Sequence, residues 1–143
     1  MLKEKMEESL NQQINEELYS YYLYLSMSAH FEAVNLPGFA NWMYAQAQEE
    51  MFHAMKIFHY INERGGAVKL LPIKGPETEW ESPLAAFEAA YKHECYISEC
   101  IDNLVDKGIQ LKYHATTSFL QWYVNGQVEE EASVDEVVQK LKM

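Results

Sequence analysis

Residues 38–55 read GFANWMYAQAQEEMFHAM, and their apolar side chains recur every three or four positions, which is the period of an α-helix. The stripe with this period continues beyond the segment and consists of Phe39, Met43, Gln46, Glu50, His53, Ile57 and Tyr60. A carboxylate and an imidazole therefore occupy the middle of a face that is otherwise apolar. Because such a face is normally buried, the two polar side chains indicate a site inside the protein.

Four helices are predicted from this period, and each has an acid near the middle of its stripe. Their approximate bounds are 5–34, 38–64, 83–107 and 113–142. The third helix has Ser82 as a candidate N-cap and Pro83 at its first position, and we expect it to stop at Lys107-Gly108. No internal repeat or domain linker interrupts the pattern, so residues 1–143 are predicted to form one domain.

The connection between the second and third helices is long and non-helical. Residues 67–82 hold two of the four prolines, and the 18 residues from 65 to 82 can reach about 59 Å when extended. Helices of about 27 residues are about 40 Å long, so this connection can span a whole bundle. We therefore predict an all-α four-helix bundle with one long crossover between helices two and three.

The composition limits the classes of partner. The chain has 143 residues, 48% of them apolar, and its 22 acidic residues against 11 Lys and Arg leave a formal charge of −11. So much negative charge repels nucleic acid and anionic membrane surfaces, so neither is an expected partner. No signal peptide or apolar run long enough to span a membrane is visible. Cys95 and Cys100 lie five residues apart on a predicted helix, so their side chains point in directions too different for a local disulfide. This spacing predicts reduced thiols and a cytoplasmic location.

The four acids in the stripes are Glu17, Glu50, Glu94 and Glu130, and each falls within about three residues of the midpoint of its helix. In a bundle they converge on one interior region. Four unpaired buried carboxylates would cost more free energy than a domain of about 5–15 kcal/mol stability can supply. No Lys or Arg lies on these stripes, so the pattern predicts bound cations. Carboxylates with one imidazole suit iron, manganese or zinc.

Each signal is weaker alone than in combination. One Glu-x-x-His is expected in such a sequence by chance, and a single Glu on a stripe is commonly a solvated edge residue. The run Glu129–Glu131 is by default an exposed face, of which only Glu130 has the phase of the core. Tyr24 lies two turns from Glu17 on the same side. A metal-free helical interaction module is therefore a competing interpretation. The position of all four acids near the midpoints of their helices argues against it.

At these residues the chain resembles the non-haem ferritins of bacteria and archaea. The matching stretches cover all four helices and read NEELYSYYLYLSMS (15–28), GFANWMYAQAQEEMFHAM (38–55), FEAAYKHE (87–94) and FLQWYVNGQVEEE (119–131). The resemblance implies an iron-storage ferroxidase with two iron ions per subunit and O2 or hydrogen peroxide as oxidant.

The resemblance also implies roles for particular residues. It assigns the first iron to Glu17, Glu50 and His53. It assigns the second iron to Glu94, Glu130 and the bridging Glu50. Gln127 and Tyr24 would flank the centre and steer oxygen and electrons.

Two features depart from the family. Some bacterial ferritins have a third iron site that uses an acid at the position of Gly126, so the resemblance does not extend to such a site here. Ferritins usually carry a short fifth helix, whereas this sequence stops at Met143.

The alternative enzyme is a di-iron peroxidase or oxygenase of the rubrerythrin and bacterioferritin group. Those proteins would show a second Glu-x-x-His on helix four, where this chain has Glu130 followed by Ser133. Trp42, Trp80 and Trp122 are typical of subunit contacts and predict at least a dimer. The resemblance implies a large homo-oligomer, a 24-subunit cage, because the subunit contacts of ferritins lie mostly on the first four helices and the crossover. Without the fifth helix its fourfold openings should be wider.

Overall fold

The computed structural model describes residues 2–143, which form four helices and no strands. The helices are α1 (Glu4–Ala33), α2 (Pro37–Glu63), α3 (Pro83–Gln110) and α4 (His114–Lys142). The chain forms two compact units, one up to Glu81 and the other from Ser82. Among the described residues, no helix is both long and apolar enough to cross a membrane.

The first unit is a hairpin of α1 and α2 joined by a tight turn. Asn35 adopts a left-handed backbone with φ of 60°, which ends α1, and Pro37 begins α2 where its missing N–H costs no helical hydrogen bond. Across the turn, Ser28 Oγ donates to the carbonyl oxygen of Ala40 at 2.7 Å. These contacts set the register in which the middles of α1 and α2 face each other.

Side chains near the start of α1 form hydrogen bonds with the extended segment that follows α2. Asn11 donates from Nδ2 to the carbonyl of Ala67 and accepts the N–H of Lys69 at Oδ1, at 2.9 and 2.8 Å. Glu7 Oε1 accepts the N–H of Ala67 at 2.8 Å. The predicted long non-helical connection is therefore present, and side chains from α1 satisfy backbone groups that no helix or strand pairs.

The second unit is the hairpin of α3 and α4. Ser82 caps α3 as predicted, since its Oγ accepts the N–H of Ala85 at 3.0 Å. The predicted stop at Lys107-Gly108 is wrong, because α3 continues to Gln110 and the chain reverses at Lys112, whose φ is 59°. Gly108 instead lets the two helices approach: a Cβ there would lie 2.8 Å from Thr117 Oγ1.

The buried face of α3 differs from the stripe that helical spacing predicts for it, which consists of Leu84, Phe87, Tyr91, Glu94, Ser98, Ile101 and Val105. Tyr91, Ser98 and Val105 are only partly buried. Residues one position earlier on the helix form the buried face instead, namely Ala90, Ile97 and Leu104. The predicted stripe is therefore offset by one residue at these three positions, because a period of three or four residues does not by itself fix the rotation of the helix about its axis. Glu94 is fully buried as predicted.

Candidate metal centre

The middles of α1 and α2 bring three of the predicted ligands together. Glu17 and Glu50 are 0% exposed and His53 is 7% exposed. Glu50 and His53 lie three residues apart on α2, so both project from one face, toward Glu17 on α1. Their candidate ligand atoms all lie within 4.8 Å of one another.

The two carboxylates present one oxygen each to the imidazole. His53 Nδ1 lies 3.4 Å from Glu50 Oε2 and 3.7 Å from Glu17 Oε2. Neither of these Oε2 atoms accepts a hydrogen bond from any residue among 2–143, although both are buried. A buried carboxylate oxygen without a donor is costly, so this arrangement favours a cation at the three side chains.

The electrostatics of the cluster agree with its geometry. Burial raises the pKa of Glu50 to about 7, although the nearby imidazole opposes that shift. Burial lowers the pKa of His53, but the neighbouring carboxylates of Glu17 and Glu50 outweigh burial and raise that pKa to about 11. The two carboxylates therefore favour a positive charge among the three side chains, which a bound metal ion would supply.

The opposite oxygen of each carboxylate is held by a glutamine one turn earlier on the same helix. Gln13 Nε2 donates to Glu17 Oε1 at 3.3 Å, and Gln46 Nε2 donates to Glu50 Oε1 at 3.0 Å. Sequence reasoning placed Gln46 on the buried stripe without a role and overlooked Gln13. The signal that could have found both is the four-residue spacing between a Gln and a buried Glu.

In the second unit, Glu94 on α3 and Gln127 on α4 lie together. Gln127 Nε2 is shared among Glu94 Oε1 at 3.2 Å, the Glu94 carbonyl oxygen at 3.2 Å and Ser98 Oγ at 3.1 Å. Gln127 is therefore a direct neighbour of a predicted ligand. Its amide fixes one oxygen of Glu94, as the glutamines of the first unit do for their acids.

The hydrogen bonds of the second unit continue to an acid that sequence reasoning placed on an exposed face. Ser98 Oγ donates to Glu131 Oε2, and Cys95 Sγ lies 3.8 Å from Glu131 Oε1. Glu131 is partly buried, so the interpretation of residues 129–131 as exposed apart from Glu130 is wrong for Glu131. Burial raises the pKa of the Cys95 thiol, and both cysteines are free thiols, as predicted.

The remaining predicted site residues are Tyr24 and Glu130. Tyr24 is 0% exposed and lies two turns after Glu17 on α1. Glu130 follows Gln127 by three residues on α4, so the two project from neighbouring positions on one side of that helix. A Cβ at Gly126 would meet nothing within 4 Å, so no close packing requires glycine there.

Proteins similar in sequence are ferritins. The ferritin family model, described as a ferritin-like domain, matches residues 7–143. A bacterial non-heme ferritin of Bacteroides fragilis (strain 638R) is 44% identical over 142 residues, covering 99% of this chain and 89% of that protein. A bacterial non-heme ferritin of Campylobacter jejuni is 41% identical over 143 residues, covering 100% of this chain and 86% of that protein.

A solved structure extends the similarity to the fold. An open-pore ferritin from the hyperthermophilic archaeon Archaeoglobus fulgidus is 54% identical, with a TM-score of 0.98 over 99% of this chain and 88% of that one. This similarity confirms the predicted all-α four-helix bundle. The names of these proteins favour a ferritin over a di-iron peroxidase or oxygenase. The family match over nearly the whole sequence and the close structural similarity show that the chain belongs to the ferritin family.

Proposed function

We propose that this chain is an iron-storage ferroxidase that oxidises Fe(II) at a two-iron centre and sequesters the ferric product inside a cage built from its own copies. Its membership of the ferritin family supports both storage and ferroxidase activity. The observation that carries the proposal is the buried cluster of Glu17, Glu50 and His53, with two carboxylate oxygens that lack a donor. Oxygen and imidazole ligands of this kind suit iron.

The two iron positions use five side chains in this proposal. Glu17, Glu50 and His53 bind the first Fe(II), and Glu94, Glu130 and the bridging Glu50 bind the second. The similarity of nearly the whole chain to a ferritin of known structure supports this assignment, as does the full burial of Glu94. It also supports treating the two compact units as parts of one ferritin-like domain.

The reaction transfers one electron from each of two Fe(II) ions to an oxidant. O2 takes up two electrons and two protons to give hydrogen peroxide, or hydrogen peroxide is itself reduced to water. The protein contributes anionic ligands, which favour Fe(III) over Fe(II). Tyr24 and Gln127 flank the centre, where Gln127 orients Glu94 through its amide.

Titration of the full-length protein with Fe(II) in air tests the centre. We expect a fast oxidation phase that saturates near two iron ions per chain. Saturation near one ion would contradict the second position. A rate no faster than that of buffer alone would contradict ferroxidase activity altogether.

Glu130 and Glu49 offer a matched test of the ligand assignment. Both are glutamates next to another glutamate in the middle of a helix, and Glu49 is exposed. We expect Glu130→Ala to reduce the fast phase strongly and Glu49→Ala to leave it nearly unchanged. The reverse result would place the ligands one residue away from the proposed helical face.

Assembly is the remaining part of the proposal. Tyr44, Phe52 and Trp122 are 51%, 58% and 41% exposed, and aromatic residues of this kind are enriched at subunit contacts. We expect a 24-subunit cage, located in the cytoplasm. Light scattering of the purified protein at neutral pH measures the mass of the assembly and so tests the number of subunits. A dimer as the largest species would mean that oxidation occurs without storage in a cage.

A further inference from the structure

Glu17, Glu50 and His53 form what we call the α1–α2 cluster. Two buried glutamine side chains form hydrogen bonds with its two acids. Gln13 and Gln46 are 3% and 8% exposed, and each lies one helical turn before Glu17 or Glu50. Each donates its amide to Oε1 of that glutamate, at 3.3 and 3.0 Å. The same device therefore occurs on both helices, with the same spacing and the same acceptor atom.

The hydrogen bond leaves a specific part of each carboxylate available. With Oε1 occupied, rotation of the carboxylate about its last bond is restricted, and Oε2 faces His53 Nδ1 at 3.7 Å from Glu17 and 3.4 Å from Glu50. These Oε2 atoms accept no hydrogen bond from residues 2–143. The two amides thus direct the unoccupied oxygens toward the imidazole, where a cation would bind all three groups.

The chemical nature of the donor also matters. A Lys or Arg at either position would form a stronger hydrogen bond but would bring a positive charge against an incoming cation. An amide donates without a net charge, so it orients the carboxylate and leaves its negative charge available for metal binding. Outer groups that orient ligands in this way commonly change metal affinity by 10–100-fold.

We propose that Gln13 and Gln46 are positioning residues that hold Glu17 and Glu50 ready to bind a divalent cation. This inference rests on the proposed function only in taking Glu17, Glu50 and His53 as metal ligands. The preset geometry lowers the cost of ordering the ligands when the metal arrives.

The chain provides a matched control one residue away. Gln12 donates to Glu16 Oε1 at 3.3 Å, with the same four-residue spacing on the same helix, but this pair is exposed. A general effect of removing a Gln–Glu pair from α1 would therefore appear in Gln12 variants as well. An effect confined to Gln13 and Gln46 identifies a role at the cluster.

The test uses Co(II), which reports its coordination through its visible absorption and is not oxidised under these conditions. We compare Gln13→Met, Gln46→Met and Gln12→Met with the unaltered full-length protein, because Met keeps the side-chain length and removes the donor. We expect the Kd for Co(II) to rise about tenfold or more in the first two variants, with an altered absorption band. Gln12→Met should stay within about twofold of the unaltered protein.

A purely structural role gives a different result. It lowers the melting temperature of the Gln13 and Gln46 variants while the Co(II) affinity and absorption band stay unchanged, and that outcome overturns the inference. If a Met variant does not fold, Gln13→Asn and Gln46→Asn serve instead, since their shorter amide cannot reach the carboxylate in place. If the unaltered protein binds no Co(II), the proposed metal centre fails together with the inference, whereas equal binding by all variants removes only the inference.

Discussion

The two helical hairpins differ in the hydrogen bonds that their buried carboxylates form. In the α1–α2 hairpin, Glu17 and Glu50 each have one oxygen held by an amide and one without a donor, and they raise the pKa of His53 to about 11. In the α3–α4 hairpin, Glu94 shares the amide of Gln127, which also contacts Ser98 and through it Glu131. The first hairpin places two carboxylate oxygens that lack a hydrogen-bond donor beside an imidazole, whereas the second distributes its polar groups along a hydrogen-bonded chain. Metal dependence should therefore be greatest at the α1–α2 cluster.

The largest expected effect follows from removing the imidazole of that cluster. His53→Ala deletes one of three clustered ligands and leaves two buried carboxylates side by side, so the fast phase of Fe(II) oxidation should fall at least about 100-fold. Stopped-flow absorbance in air measures this rate. His59→Ala, at an exposed position on the same helix, should keep the normal rate. An equal loss of the oxidation rate in both variants would show that the rate does not depend specifically on the α1–α2 cluster.

Metal should also stabilise the protein through this cluster. Zn(II) at about 100 times its Kd should add about 2.7 kcal/mol to the free energy of unfolding, a shift of roughly 5–10 °C in Tm. Glu50→Gln should lose most of this shift, because it removes the carboxylate that faces His53. Calorimetry with and without Zn(II) provides the measurement. An unchanged shift in Glu50→Gln would place the stabilising metal elsewhere.

The hydrogen-bonded chain of the second hairpin should affect stability more than chemistry. Ser98→Ala removes the hydroxyl between Gln127 and Glu131, and the loss of these bonds should lower the free energy of unfolding by about 1–2 kcal/mol. We expect Fe(II) oxidation to change less than about threefold, in contrast to His53→Ala. Denaturant titration measures the stability, with the exposed Ser118→Ala as control. If oxidation fell as far as in His53→Ala, the two hairpins would not differ in function.

The smallest effect concerns two glycines in the second hairpin. Gly126→Ala should raise the free energy of unfolding by up to about 1 kcal/mol, because its Cβ would meet nothing and Ala favours a helix. Gly108→Ala should lower stability instead, since its Cβ would lie 2.8 Å from Thr117 Oγ1. Thermal unfolding distinguishes the signs. If Gly126→Ala lowered the free energy of unfolding instead, a requirement other than close packing within the chain would favour glycine at this position.

Sequence reasoning predicted the helices and the buried acids because both depend on periodicity along one helix. The bounds of α1, α2 and α4 agree with the predictions to within one or two residues. The end of α3 was misplaced because glycine can serve either as a helix stop or as a point of close approach, and only the neighbouring Thr117 distinguishes the two. The assignment of Glu17, Glu50, His53, Glu94 and Glu130 as metal ligands remains a prediction.

The sequence by itself determined which residues share a helical face, since that follows from 3.6 residues per turn. It thereby placed Glu17, Glu50, His53 and Glu94 on buried faces and supported the ferritin resemblance. Only the tertiary structure decided which of two adjacent residues is buried: Gln13 bonds to the buried Glu17 while Gln12 faces solvent, and Glu131 bonds to Ser98. The physical reason is that each helix can rotate about its axis by a fraction of a turn, and that rotation is set by side-chain packing between helices rather than by the period of either one.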